Sequence, residues 1–434
     1  MNRRGMTLVE MMVATTMTLI IMGIIAQLFG ILGNSVSGSR TTLDMSQQLR
    51  AVANTLRTDL AGITVETVPP IAADSDSGYL EIIEGENGDF TSGMASLTGD
   101  CDDILMFTSR SLGSPFVGRF ENGLIESPYA EIVWFCQQSP AVMQTVPGTT
   151  LYTLYRRQLL AMDYVGAGAF QGSGNNSLPS TFTVPNVYQT YDLSLRSDNG
   201  RLYANSLGDL TKRENRFLHN PAGLMLSSTT YPYNNTETNI LSNGFLAGTR
   251  AGEDIVMTNV LSFDVRVYDP KAPIRSVSTI AVTPGDPGYS SGVASGAEGA
   301  YVDLNWDRGL TSPISATALY PPTGQGVFQG RGVGIKAGTS AVTFSNRIYD
   351  TWSTHYESNG INEGDGPNVT AGTIDEGTNG LDDNNDGVID DAGELETSPP
   401  YPAPLRGLEV RIRCYEPQSR QVRQITVRHS FVPH

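Results

Sequence analysis

Gly5-Met6-Thr7-Leu8-Val9-Glu10, continued by an uncharged and mostly apolar run to Leu32, decides how this 434-residue chain is read. Glu10 is the only charge between Arg4 and Arg40. A carboxylate within an apolar helix costs about 2.5–3.5 kcal/mol to place in hydrocarbon. Its presence therefore predicts a partner, supplied by another molecule or by a newly made chain end. Residues 11–32 are long enough to span a bilayer at about 1.5 Å rise per residue. Arg3 and Arg4 ahead of them place the N-terminus in the cytoplasm, and the bulk of the chain beyond the membrane.

Past the span the helical period resumes. Leu49, Val52, Ala53, Leu56, Leu60 and Ile63 recur at three- and four-residue steps, with Gln47, Arg50, Arg57 and Asp59 assigned to other faces. Gly30, Gly33 and Gly38 predict a place where the helix bends or melts, because glycine costs roughly 1 kcal/mol relative to Ala. Val68-Pro69-Pro70 predicts its end. Short apolar or alternating runs then follow at 103–109, 131–136, 151–156 and 260–270. Runs 408–415 and 424–431 flank the turn Glu416-Pro-Gln-Ser-Arg420 and predict an antiparallel hairpin. One long helix followed by strands is an α+β pattern, with the helix packed on an antiparallel sheet. The division expected is a leader at 1–5, a transmembrane helix at 6–33 and an amphipathic helix at 34–68. A β-rich head follows at 71–270 with an insertion near 165–250, then a second insertion at 271–404 and a closing hairpin at 405–434.

The leader R-R-G-M-T-L-V-E-M-M-V-A resembles the processing site of type IV prepilins and type II secretion pseudopilins. An ordinary secretory signal would lack the glutamate and would carry small residues at a later cleavage site. The resemblance implies a prepilin peptidase that cuts between Gly5 and Met6 and N-methylates Met6. It implies that Glu10 pairs with a neighbouring subunit's terminal amine during fibre assembly, and that the partners are other pilins and an inner-membrane assembly platform. It implies a single-pass inner-membrane protein that later joins a pilus or pseudopilus. Met6 replaces the commoner phenylalanine. The large β-rich head and the helix through Thr58-Asp59-Leu60 look similar to the J-type pseudopilin and the PilW minor pilins. The K-type tip pseudopilin has a large calcium-binding head but lacks the glutamate present here as Glu10.

The sharpest chemical pattern lies in the second insertion. Asp382, Asn384 and Asp386 offer side-chain oxygens at alternate positions, Gly387 permits a tight turn, Val388 offers its carbonyl, and Asp390 stands where a further oxygen belongs. These are the first nine positions of an EF-hand-type calcium loop. Position twelve is Gly393, so Asp391 or Glu394 would complete the shell, and no amphipathic helices flank it. Every candidate ligand is a hard oxygen, which favours calcium over zinc or iron; the alternative is a solvated acidic turn. Asn359–Gly366 with Asp375-Glu376 has the look of a degraded second loop. Among the cysteines, antiparallel pairing of 104–109 with 130–135 would bring Cys101 opposite Cys136 as a disulfide or as two core thiols, while Cys414 alternates with core positions.

A net charge of −17 argues against nucleic acid as a partner. The acidity is local: no Lys or Arg lies between Arg347 and Arg406, whereas acids recur from Glu357 to Glu396. His219, His355, His429 and His434 have no metal-ligand spacing, and the nucleophile elbow, phosphate loop and dinucleotide fingerprint are absent. The expectation is a structural subunit rather than an enzyme. A membrane-tethered binding protein using its insertions, or a tethered hydrolase, are the alternatives.

Overall fold

The computed structural model describes residues 7–69, 71, 75–85, 99–120, 123–162, 184–198, 201–212, 215–217, 246, 248–286, 288–304, 306, 326–329, 348–351, 401, 403–417 and 419–432, without the side chains of 31–39, 184–186 and 201. Helix α1 (Leu8–Ala61) is a single 54-residue helix. It passes through Gly30, Gly33 and Gly38 without interruption, contrary to the melting expected there. Once a helix is nucleated each further residue adds a hydrogen bond, and three scattered glycines do not outweigh that cooperativity.

The helix stops at Ala61, earlier than the prolines suggested. Gly62 is the reason. Its N–H donates back to the carbonyls of Asp59 and Leu60, and its own carbonyl accepts from Arg110 N at 2.7 Å. A Cβ at position 62 would collide with the Arg110 carbonyl, so only glycine lets the chain leave the helix this close to a strand. Ile63 then bridges to Ser109 as an isolated antiparallel pair.

The strands are β1 (Leu80–Ile83), β2 (Ile104–Arg110), β3 (Phe116–Phe120), β4 (Gly123–Ser127), β5 (Tyr129–Gln138) and β6 (Tyr152–Ala161). They continue as β7 (Leu195–Asp198), β8 (Arg201–Ala204), β9 (Ile255–Val277), β10 (Ile280–Val282), β11 (Val293–Val302), β12 (Ile348–Asp350), β13 (Gly407–Glu416) and β14 (Gln421–Ser430). A ten-stranded antiparallel sheet has the order β12-β1-β2-β5-β6-β9-β13-β14, with β10 and β11 also on β9. The hairpin β13–β14 forms in full register from Gly407↔Ser430 to Glu416↔Gln421. Residues from the 271–404 stretch enter the main sheet, since β11 pairs with β9 and β12 pairs with β1. Between β2 and β5 the register is Leu105↔Trp134, two residues off the pairing expected from sequence.

The lower half of α1 packs against β2, β9, β13 and β14. Met45, Leu49, Val52, Ala53, Leu56 and Leu60 are buried there, together with Phe263, Val265, Val410, Ile412 and Cys414 of the sheet. The segment around α2 (Val184–Thr190), β7 and β8 joins the opposite face, on which Glu131 projects by alternation from Trp134. Glu131 accepts from Tyr79 Oη, Ser194 Oγ and Phe217 N at 2.5, 2.6 and 2.8 Å. Arg216, fully buried, lies over the Tyr79 ring and pairs with Asp350 of β12 at 2.8 Å and Glu81 of β1 at 3.2 Å. Part of the 165–250 stretch is thus bolted to the sheet by buried charge.

Candidate functional site

Three places bear on function: the free end of α1, its junction with the head, and an acidic seam beside β9. From Leu8 to Gly30 the helix stands outside the head, with every side chain exposed and a mean hydropathy of 2.1. Its hydroxyls are satisfied internally, as an apolar medium requires. Thr15 and Thr16 donate to carbonyls one turn back at 2.9 and 2.6 Å, and Thr18 to Ala14 O at 2.8 Å.

Glu10 has a partner that the sequence reading overlooked. Thr7 is the N-cap of α1: Glu10 N donates to Thr7 Oγ1 at 3.3 Å, while Thr7 N and Oγ1 donate to Glu10 Oε2 at 2.9 and 3.0 Å. This capping box satisfies two otherwise orphaned donors and the carboxylate together. Glu10 thus has a partner within the chain, besides the one outside it that the sequence leads one to expect. The signal was present, since Thr-x-x-Glu before an apolar run marks a helix start. Gly5 and Met6 lie outside the described residues.

At the junction, Asp59 is buried rather than on a solvent face. Arg156 of β6 grips it with two bonds, Nε to Oδ2 and Nη2 to Oδ1, each 2.7 Å. Trp134 Nε1 of β5 donates to Oδ2 at 3.0 Å, and Ser109 Oγ of β2 donates to the Asp59 carbonyl at 2.9 Å. Three successive strands thus hold one helix residue. A planar guanidinium matches a carboxylate in two parallel bonds, which fixes direction as well as distance.

The acidic seam arises from a gap in the sheet. β6 leaves β9 at Val260 and β11 joins it at Val267. Residues 99–103 fill the interval. Gly99 N donates to Leu261 O at 2.8 Å, Phe263 N to Asp100 O at 2.7 Å, and Val265 N to Asp103 Oδ2 at 2.6 Å. Gly85 N reaches Asp103 Oδ1 at 3.2 Å, and a Cβ on Gly85 would overlap Asp102. Glu84, Asp100 and Asp103 each place a carboxylate oxygen within 4.8 Å of the others, all three buried. Hard-oxygen donors so disposed are the type that binds calcium or magnesium. Burial, followed by the neighbouring Asp103 charge, pushes the Asp100 carboxyl well above the ordinary range. Burial, then Asp264, does the same to Asp103.

The calcium-type residues Asp382, Asn384, Asp386, Val388, Asp390 and Glu394 lie outside the described residues, as do 359–376 and His219, His355 and His434. Cys101, Cys136 and Cys414 are buried thiols, and burial, followed by the neighbouring Cys136, pushes the Cys101 thiol pKa up. His429 lies on β14 beside Phe431 with its pKa lowered by burial.

With these features in place, a family model for the prokaryotic N-terminal methylation motif matches residues 1–26. No curated protein and no solved structure matches the chain. The match covers the leader and most of the exposed part of α1, so the chain carries a type IV pilin-like prepilin signal. That signal implies processing by a prepilin peptidase and assembly with other pilins, and it fits a membrane-anchored, single-pass protein.

Two outcomes follow. Asp59→Ala strips Arg156 and Trp134 of their acceptor and lowers unfolding free energy by about 3 kcal/mol. That is the low end for a broken buried pair, because Arg156 is 16% exposed. Urea melts of Asp59→Ala, Arg156→Gln and the double variant should show strong non-additivity. The seam sets a pH dependence. Carboxyls whose folded pKa is raised keep protons longer than the unfolded chain does. Their stabilisation is complete below the ordinary carboxylate range and falls as pH rises through it towards the raised folded values. Asn mimics the protonated acid, so Asp100→Asn should gain on the wild type steadily as urea midpoints are taken from pH 4 to pH 8. Parallel curves would contradict this.

Proposed function

We propose that this protein is a minor pilin or pseudopilin, a structural subunit of a type IV pilus or type II secretion pseudopilus. The observation that carries the reading is the methylation motif at residues 1–26 on a 54-residue helix whose apolar first half stands wholly outside the head. The helix resides in the inner membrane with the N-terminus in the cytoplasm and the head outside. A prepilin peptidase cuts after Gly5 and methylates Met6, and the helix then enters a bundle with its neighbours through helix–helix packing. Glu10 exchanges the Thr7 capping box for a neighbour's Met6 amine. The subunit acts mechanically, without catalysis. The types it resembles are the J-type pseudopilin and the PilW-like minor pilins, a reading supported by the glutamate at Glu10 and the large antiparallel head.

Mass spectrometry of the chain taken from membranes should find a mature N-terminus at N-methylated Met6. An intact Met1, or cleavage beyond residue 20, overturns the reading. Glu10→Ala should leave the head's melting temperature unchanged while the subunit fails to enter fibres.

We further propose that Asp382, Asn384, Asp386, Val388, Asp390 and Glu394 hold a structural calcium ion. The support is the ligand spacing and the uncompensated acidity around it. At millimolar extracytoplasmic calcium even a weak loop of this type is filled, and filling it stabilises the folded chain by mass action. Calcium should raise the melting temperature above that in chelator, and Asp386→Ala should abolish the difference while Asp100→Asn leaves it. Identical melts in calcium and chelator reject the proposal.

A further inference from the structure

The segment that fills the gap beside β9 also carries Cys101, and its place in the fold gives that cysteine a use. Phe135 of β5 lies opposite Ile104 of β2. Cys136 is one step further along β5, and Cys101 lies on the approach to β2, where the chain swings across to bond Leu261 and Phe263. The two residues are neighbours in the buried core, 4% and 6% exposed, and after burial itself Cys136 is the next cause raising the Cys101 thiol pKa. Cys414 is built into β13 between its pairings to Val260 of β9 and Arg423 of β14.

We propose that Cys101 and Cys136 form a disulfide in the mature head and that this bond ties residues 99–103 to β5. The proposal rests on the reading that the head lies outside the cytoplasm, where such bonds persist. The need for a tie is local. Asp100, Asp102 and Asp103 flank Cys101, and Glu84 from the end of β1 and Asp264 of β9 add like charge. Asp264 has Arg266 and Arg411 each at 3.9 Å, and Arg266 is bound more closely by Asp303 at 2.9 Å and the Pro284 carbonyl at 2.6 Å. The Gly99, Asp100 and Asp103 contacts to β9 must therefore hold an acid-rich segment in place, and a covalent link to the neighbouring strand reinforces them.

The chemistry balances with an extracytoplasmic disulfide-bearing oxidant, such as a dithiol–disulfide oxidoreductase. The Cys101 thiolate attacks the oxidant's disulfide, forming a mixed disulfide and expelling one oxidant thiolate. The Cys136 thiolate then displaces the second, leaving the Cys101–Cys136 bond. The two thiol protons pass to the oxidant, which departs as a dithiol. A thiolate is required at each attack. The exchange therefore takes place while residues 99–103 are still open to solvent, before both sulfurs are buried.

The test takes the full-length protein from membranes in detergent without reductant, alkylates it in denaturant and maps labelled peptides by mass spectrometry. The expected result is label on Cys414 alone and a linked Cys101–Cys136 peptide lighter by two hydrogens. Three labelled cysteines on a chain that begins at Met6 overturn the disulfide and leave the pilin-like reading standing. Three labelled cysteines on a chain with an unprocessed N-terminus point instead to a failure of that reading. The same chain is then refolded in oxidised glutathione, where absence of the Cys101–Cys136 bond overturns the proposal and its formation supports it. Reductant should lower the wild-type melting temperature by about 5–10 °C and leave Cys136→Ser unmoved, with Cys414→Ser responding as the wild type does. A reductant shift of equal size in Cys136→Ser also overturns it.

Discussion

The grip on Asp59 is the constraint from which the rest of the structure follows. A helix and a sheet pack through apolar surfaces that are indifferent to small slides and rotations. The bidentate bond from Arg156, the indole N–H of Trp134 and the Ser109 hydroxyl on the Asp59 carbonyl remove that freedom. They also sit beside Gly62, where the chain turns out of the helix into its pairing with β2. Position, rotation and exit of α1 are thus settled within four residues, and the apolar stripe from Met45 to Leu60 packs in the register that results.

The head is organised around β9. It meets β6, residues 99–103 and β11 in turn along one edge, and β13 then β10 along the other. A 23-residue strand with several partners can join pieces of chain that are far apart in sequence. The opposite edge is built likewise, with β12 drawn in beside β1 and Arg216 joining both to a third segment. Burying that arginine is tolerable because two carboxylates, two carbonyls and an aromatic face surround it.

Periodicity made the broad architecture legible. The apolar stripe of α1 and the alternation of β9, β13 and β14 predicted an N-terminal helix and a large antiparallel sheet, and both are present. Spacing could not reveal polar groups that work through tertiary contact. Asp59 lies next to Leu60 and three residues after Leu56, and only the arrival of Arg156 and Trp134 explains its burial. The β2–β5 register differs by two residues from that expected because both strands are buried on both faces, which weakens the alternation that sets register. The Thr7 cap, by contrast, is legible in the sequence, because Thr-x-x-Glu ahead of an apolar run is the spacing of a capping box.

The unbroken course of α1 has a consequence for how such a subunit is placed among others. Glu10 and Asp59 are about thirteen to fourteen helical turns apart on one rod, with a carboxylate fixed near each end. The rod behaves as a keyed shaft. Whatever sets the direction of Glu10 at one end also sets which side of the head faces outward at the other. The orientation of the head in an assembly would then be decided inside the membrane, before the head touches anything.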